Sequence, residues 1–254
     1  MKALELFDYS GNCWWCSRPA DSAEHKYKRT DIASEFGRGS YRRESTLIRH
    51  VDGELVAEGI QGPNSAHFKF AVGLCRECNT TRSREIDLAY ESVVRCVRRS
   101  EHDVLRDRRL DFALVFGHDW SSALRNVRRY FAKHACSRIV DAGRRVGDDL
   151  LTFLSDRGDD KVFSLEAEIR TDIIEGLGTG ASRDGSLWLG DLIGWHAPED
   201  MTMVRVQSHY GVGWLRFNWV YDPLGRDWPD NLRTQVAALP ERRAFAPSYD
   251  QETG

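Results

Sequence analysis

Apolar residues recur at helical spacing in two long stretches of the chain. Ile86, Ala89, Tyr90, Val93, Val94 and Val97 share one side of a helix that begins after Asn79, with Ser83 as its candidate cap. Trp120, Leu124, Val127, Phe131, Ala135 and Ile139 form a second stripe over about Trp120 to Val140, and Gly143 stands where a C-cap belongs. Val146 to Leu154 predicts a short further helix. From about residue 160 the period shortens. Phe163 to Ile169 alternates, although its Glu-Ala content leaves helix open, and Ser186–Leu189 and Met201–Gln207 read as strands. Gly211-Val212-Gly213 turns into the bulky strand Trp214–Tyr221. Nearer the start, Thr46–Arg49 and Glu54–Ala57 flank Asp52-Gly53, a tight-hairpin dipeptide. Gly59, Gly62 and Pro63 mark a loop before Phe68-Lys69-Phe70, and Gly176-Leu177-Gly178-Thr179-Gly180 reads as another. The pattern predicts an α+β chain: a first domain over 1–99, a helical segment over 100–158, a β-rich α+β domain over 159–239 and a disordered tail over 240–254.

The composition, 41% apolar and 30% charged over 254 residues, is that of a globular protein. No apolar run approaches the roughly 18 residues of a membrane span. Met1-Lys2-Ala3-Leu4-Glu5 lacks the apolar core of a signal peptide, so the expectation is a soluble, cytoplasmic protein. Charge is divided unevenly. Residues 1–150 carry 26 basic against 22 acidic side chains, and residues 151–254 carry 10 against 17. The asymmetry points any polyanion to the N-terminal part, the alternative being two ordinary solvated surfaces. Arginine outnumbers lysine 30 to 6, which favours forked phosphate contacts or reflects compositional bias.

Four of six cysteines form two short pairs, Cys13-Trp14-Trp15-Cys16 and Cys75-Arg76-Glu77-Cys78. Two intervening residues let both sulfurs of a pair face one tetrahedral ion, so the pairs predict a structural zinc site. The 58 residues between them (17–74) exceed a compact zinc ribbon and predict a hairpin insertion. Cys96 and Cys136 fall in helical stretches and read as small buried hydrophobes. Glu24-His25 follows the first pair and Asn79 the second. If a zinc ion clamps the pairs, a carboxylate, an imidazole and an amide oxygen converge. The oxygens suit magnesium or manganese, and the imidazole suits a general base.

On Cys13, Cys16, Glu24-His25 and Cys75-Arg76-Glu77-Cys78-Asn79, residues 10–92 resemble the HNH endonucleases, ββα-metal nucleases with a four-cysteine zinc site. The resemblance implies a zinc-stabilised ββα-metal module holding the hairpin insertion. Glu24 and Asn79 would hold the catalytic ion and His25 would deprotonate water. DNA is favoured over RNA as substrate, in phage or anti-phage defence. Glu24 stands where the family usually has Asp, and Phe70 where it has a middle Asn, with Asn64 a substitute for that pin. A non-catalytic, zinc-stabilised nucleic-acid-binding or adaptor protein on the same scaffold is the alternative.

Candidate nucleic-acid contacts beside the pairs are Lys26, Lys28, Arg29 and Arg82, with Arg42 and Arg43 in the insertion. Arg125, Arg128 and Arg129, with Lys133 and Arg138, decorate the second helix, where no acid interrupts from Asp119 to Asp141. Five of eight tryptophans lie in the acidic C-terminal part, where core packing or a protein partner, including self-association, suits them better than base stacking.

Overall fold

The computed structural model describes residues 7–37, 48–51, 54–57, 62–178, 187–196 and 203–243. Helix α1 (Arg29–Phe36) precedes strands β1 (Ile48–Val51) and β2 (Glu54–Ala57), and a π-helical turn, Glu77–Arg82, runs into α2 (Arg84–Arg99). Next come α3 (Glu101–Asp107), β3 (Arg109–Asp111), α4 (Phe112–Phe116), α5 (Trp120–Asp141) and α6 (Asp148–Leu154). Then follow β4 (Phe163–Arg170), α7 (Thr171–Gly178), β5 (Leu187–Leu189), β6 (Ile193–His196) and β7 (Met203–Val212). Strands β8 (Leu215–Tyr221), β9 (Val236–Ala238) and β10 (Glu241–Arg242) complete this mixed α+β fold.

The main sheet is ordered β10-β4-β8-β7-β5, with β6 beside the opening half of β7. Its centre is antiparallel, while β10 joins β4 in parallel. Val212 pairs with Leu215, so the connecting turn is Gly213-Trp214, and Gly213 adopts φ 56°. Gly211, expected in that turn, belongs to β7. It is glycine because the Trp188 ring lies across it, 1.8 Å from where a Cβ would stand.

On one face of the sheet Leu165, Ala167, Ile169, Phe217, Trp219 and Tyr221 are buried, and α5 packs there. Helix α2 covers the other side of α5, with the Tyr90 and Tyr130 rings stacked at 4.0 Å and Phe131 meeting Phe217 at 4.7 Å. Covered from both sides, α5 has no wet face at its centre: every residue from Tyr130 to Ser137 is buried. This corrects the amphipathic reading of that helix. Its end matches expectation. Gly143 (φ 67°) and Arg144 donate backwards to Val140 and Ile139, closing the helix in a Schellman motif.

The α2 stripe is buried as predicted. Ser83 does not cap it. Its hydroxyl bonds the Asn79 carbonyl (3.0 Å), because the helix already runs in through the π-helical turn. One core extends from Cys13 to Leu239, so the segments expected as successive domains share a single interior. Helix α1 stands in the stretch read as insertion. Its Asp31 accepts hydrogen bonds from Tyr90 (2.6 Å) and Tyr210 (3.1 Å), partners far away in sequence. The tail is ordered at its start, where Arg242 pairs with Glu168 at 2.9 Å. Residues 244–254, Arg42 and Arg43 lie outside the described residues. No helix among the described residues is long and apolar enough to cross a membrane.

His134, buried in α5, lies with its Nε2 2.9 Å from the Lys26 carbonyl. Burial, with Arg138 nearby, lowers its pKa from 6.5 to about 3. The unfolded chain therefore binds the extra proton between those values. Stability from this residue is complete above pH 6.5 and is lost as pH falls toward 3, at about 1.4 kcal/mol per unit. Denaturant midpoints at pH 7 and pH 5 are expected to show the loss, and His134→Gln to reduce it, with His25 keeping its own share. An unchanged slope in the variant would contradict the assignment.

Candidate metal centre

The first cysteine pair sits in a knuckle closed by Cys13 N–H to the Arg18 carbonyl (2.7 Å) and by Ser17 at φ 63°. The second opens the π-helical turn, with the Cys78 N–H 3.4 Å from Cys75 Sγ and the Arg76 N–H capped by Asp21 at 2.6 Å. Backbone bonds between Ser22 and Leu74, and between Glu24 and Phe70, hold the two segments side by side. All four sulfurs lie within 4.8 Å of one another, and Cys16 and Cys75 are 3.5 Å apart. A tetrahedral zinc with Zn–S near 2.3 Å requires sulfur separations of about 3.8 Å. The four cysteines are positioned to hold a metal ion, and the donor set is compatible with structural zinc.

Two guanidinium groups face the cluster. Arg18 reaches Cys16 (3.4 Å) and Cys75 (3.8 Å), and Arg82 reaches Cys78 (4.0 Å) while stacking on Trp15 at 4.4 Å. Four thiolates and one divalent ion carry a net charge of −2, which these two cations offset. Burial acts to raise the Cys16 pKa, but hydrogen bonds from Arg18 outweigh it and hold the thiol down to about 6. Trp14 is buried against Gly73, whose missing side chain admits the ring.

Beside the cluster, the Asn79 amide donates to Ser22 Oγ (2.9 Å) and to the Ala23 carbonyl (3.3 Å). Asn79 Oδ1 is buried with no hydrogen-bond partner among the described residues, and so is His25 Nε2. Burial, with Lys69, Lys28 and Arg29 nearby, lowers the His25 pKa to about 4 against an opposing hydrogen bond to the Pro63 backbone. The imidazole is therefore neutral near pH 7. Phe70, at the expected Asn position, is buried edge-on to His134 at 5.2 Å and offers His25 no hydrogen bond. Asn64, the substitute considered from sequence, is exposed.

Glu24 and His25 leave the chain toward different neighbours. The Glu24 carboxylate lies 2.7 Å from the ammonium of Lys133, which is 1% exposed. Lys133 also contacts Asp87 (3.3 Å) and Ser83 Oγ (3.2 Å). Sequence reading placed this lysine on a solvated stripe and missed its role. The available signal was its rarity: a compact ammonium persists where this chain otherwise uses arginine.

The candidate nucleic-acid residues separate into two groups. Lys26 lies near the Phe70 ring, Arg29 is exposed, and Lys28 pairs with Asp87 (3.2 Å) and Glu91 (3.5 Å). Lys69, paired with His25 across the two segments, joins this basic surround and was not anticipated. On α5 the expected phosphate-facing row is taken up internally. Arg125 binds Asp156 (2.6 Å), Arg129 bonds the Leu154 carbonyl (3.0 Å), and Arg128 is buried on Asp160 (2.9 Å) and Asp230 (3.1 Å). Arg128 is thereby corrected from a surface contact to an internal brace, while Arg129 is largely covered and Arg125 is engaged at the surface, because the loop after α6 and the Asp230 segment bring acids to them. Compared with known proteins, the chain matches no family model, no curated protein and no solved structure.

Proposed function

We propose that the chain hydrolyses phosphodiester bonds in nucleic acid, with DNA the first substrate, as an HNH-type endonuclease. The observation that carries this reading is the pair of buried, unpartnered polar atoms, His25 Nε2 and Asn79 Oδ1, on the two segments that the cysteine cluster joins. Buried polar atoms are normally satisfied, so each exception asks for an explanation, of which a ligand, an ion or a water is one. The antiparallel segments followed by α2 agree with the ββα arrangement that the resemblance implies.

In this reading Asn79 and Glu24 hold a magnesium or manganese ion, and the orphaned Asn79 oxygen fits that use. When bound, such an ion supplies Lewis-acid stabilisation of charge on the phosphate and the departing oxygen. His25 Nε2 takes the proton of the attacking water. Lys26, Arg29 and Lys69 attract the phosphate backbone. Plasmid cleavage with magnesium or manganese is expected for the wild type, with His25→Ala reduced about 10²–10⁴-fold. Cleavage that survives His25→Ala would sink the mechanism.

The contact between Glu24 and Lys133 favours a second reading, a zinc-stabilised binding or adaptor protein. It predicts nucleic-acid binding without cleavage under any metal condition.

A further inference from the structure

Lys133 takes part in neither the zinc cluster nor the proposed proton transfer, yet it occupies the centre of the adjoining charges. Glu24, Asp87 and Glu91 supply three negative charges, and Lys133 and Lys28 supply two positive ones. Remove the Lys133 ammonium and the group carries −2, the complement of a divalent ion. The contacts are those of a cation site: carboxylate oxygens at 2.7 and 3.3 Å and a hydroxyl at 3.2 Å. That hydroxyl, Ser83 Oγ, in turn bonds the main chain of Asn79, whose side-chain oxygen is orphaned.

The geometry points to Lys133 as a resident counter-cation that neutralises Glu24 and Asp87, so that a divalent ion gains Glu24 only by displacing the ammonium. This inference rests on the metal-dependent reading of Glu24 and Asn79 and adds a residue that sets how tightly the ion is held. Lys133 holds Glu24 Oε2, and two positive charges on one largely buried carboxylate repel each other, so the two cations compete for it. An ammonium at 1% exposure also has no nearby water to retreat into. Ion binding in the wild type is therefore weak, and losing the lysine charge strengthens it.

Manganese binding to the zinc-loaded full chain, followed by electron paramagnetic resonance and by calorimetry, tests this apart from activity. Lys133→Gln keeps hydrogen-bonding capacity toward Glu24 and Asp87 without the charge. It is expected to bind manganese about tenfold or more tightly than wild type, the scale on which neighbours of metal ligands act. Manganese is also expected to raise its melting temperature more than that of the wild type. Adding Glu24→Gln to Lys133→Gln should abolish the gain. Equal dissociation constants in wild type and Lys133→Gln would overturn the inference. So would submicromolar manganese binding by the wild type, a result that needs no variant to fold. If the wild type cleaves with manganese yet Lys133→Gln binds it no tighter, the inference fails while the nuclease reading stands. If neither form binds manganese and neither cleaves, both fall.

Discussion

Replacing Cys78 with serine is expected to release the metal and lower the melting temperature by at least about 10 °C. Structural zinc contributes apparent energies of order 10 kcal/mol in small domains, comparable with the whole stability of a typical fold. Here the cluster is not a detachable appendage. Cys13, Cys75 and Cys78 belong to the same core as α2 and α5. Trp15 lies 3.4 Å from Ser155 Oγ, just after α6, so loosening the knuckle loosens its supports. About 5 kcal/mol lost is enough for the expected shift at this chain length. Metal analysis and thermal melts of the variant, beside Cys96→Ser as a control away from the cluster, check the prediction. A Cys78→Ser protein that keeps both its metal and its melting point would remove the cluster from the account of stability.

Arg128→Ala is expected to cost about 3–5 kcal/mol, the scale for stripping one partner from a buried ion pair. The guanidinium is 3% exposed, and it bonds Asp160, Asp230 and the Phe163 carbonyl, which ties α5 to the start of β4 and to the segment before β9. Its loss leaves Asp230, 6% exposed, with Arg233 as its remaining salt-bridge partner among the described residues. Arg125→Ala, whose partner Asp156 is half exposed, should cost under about 1 kcal/mol. Denaturant unfolding of the two variants measures the contrast. Had Arg128 been a phosphate contact, its removal would leave stability intact and weaken binding in a salt-dependent way. That outcome would restore the surface reading of α5.

The contrast between these two arginines shows where legibility ends. Periodicity located α2 and α5 almost to the residue, because burial of one face imposes a repeat that needs only neighbouring positions. It located β8 and the first half of β7, and left β4 open between strand and helix. It missed α1, because that helix is polar and is held through Asp31 on Tyr90 and Tyr210. It missed β10, a two-residue strand whose only reason to be extended is the edge of β4. Charge was the least legible property. Arg128 and Lys133 read as solvent-facing, and only the packing of α2 and the sheet on both sides of α5 made them interior.

By itself, then, the sequence determined the cysteine pairs, the helical stripes and the strand alternation, all of which depend on residues a few positions apart. The tertiary structure decided which cations are spent inside the molecule and which remain for a ligand. That depends on acids brought from afar: Asp230 reaches Arg128 across 102 positions, and Glu24 reaches Lys133 from the other end of the N-terminal half. A charge is solvated or paired according to what packs against it, and chain-local pattern carries no record of that.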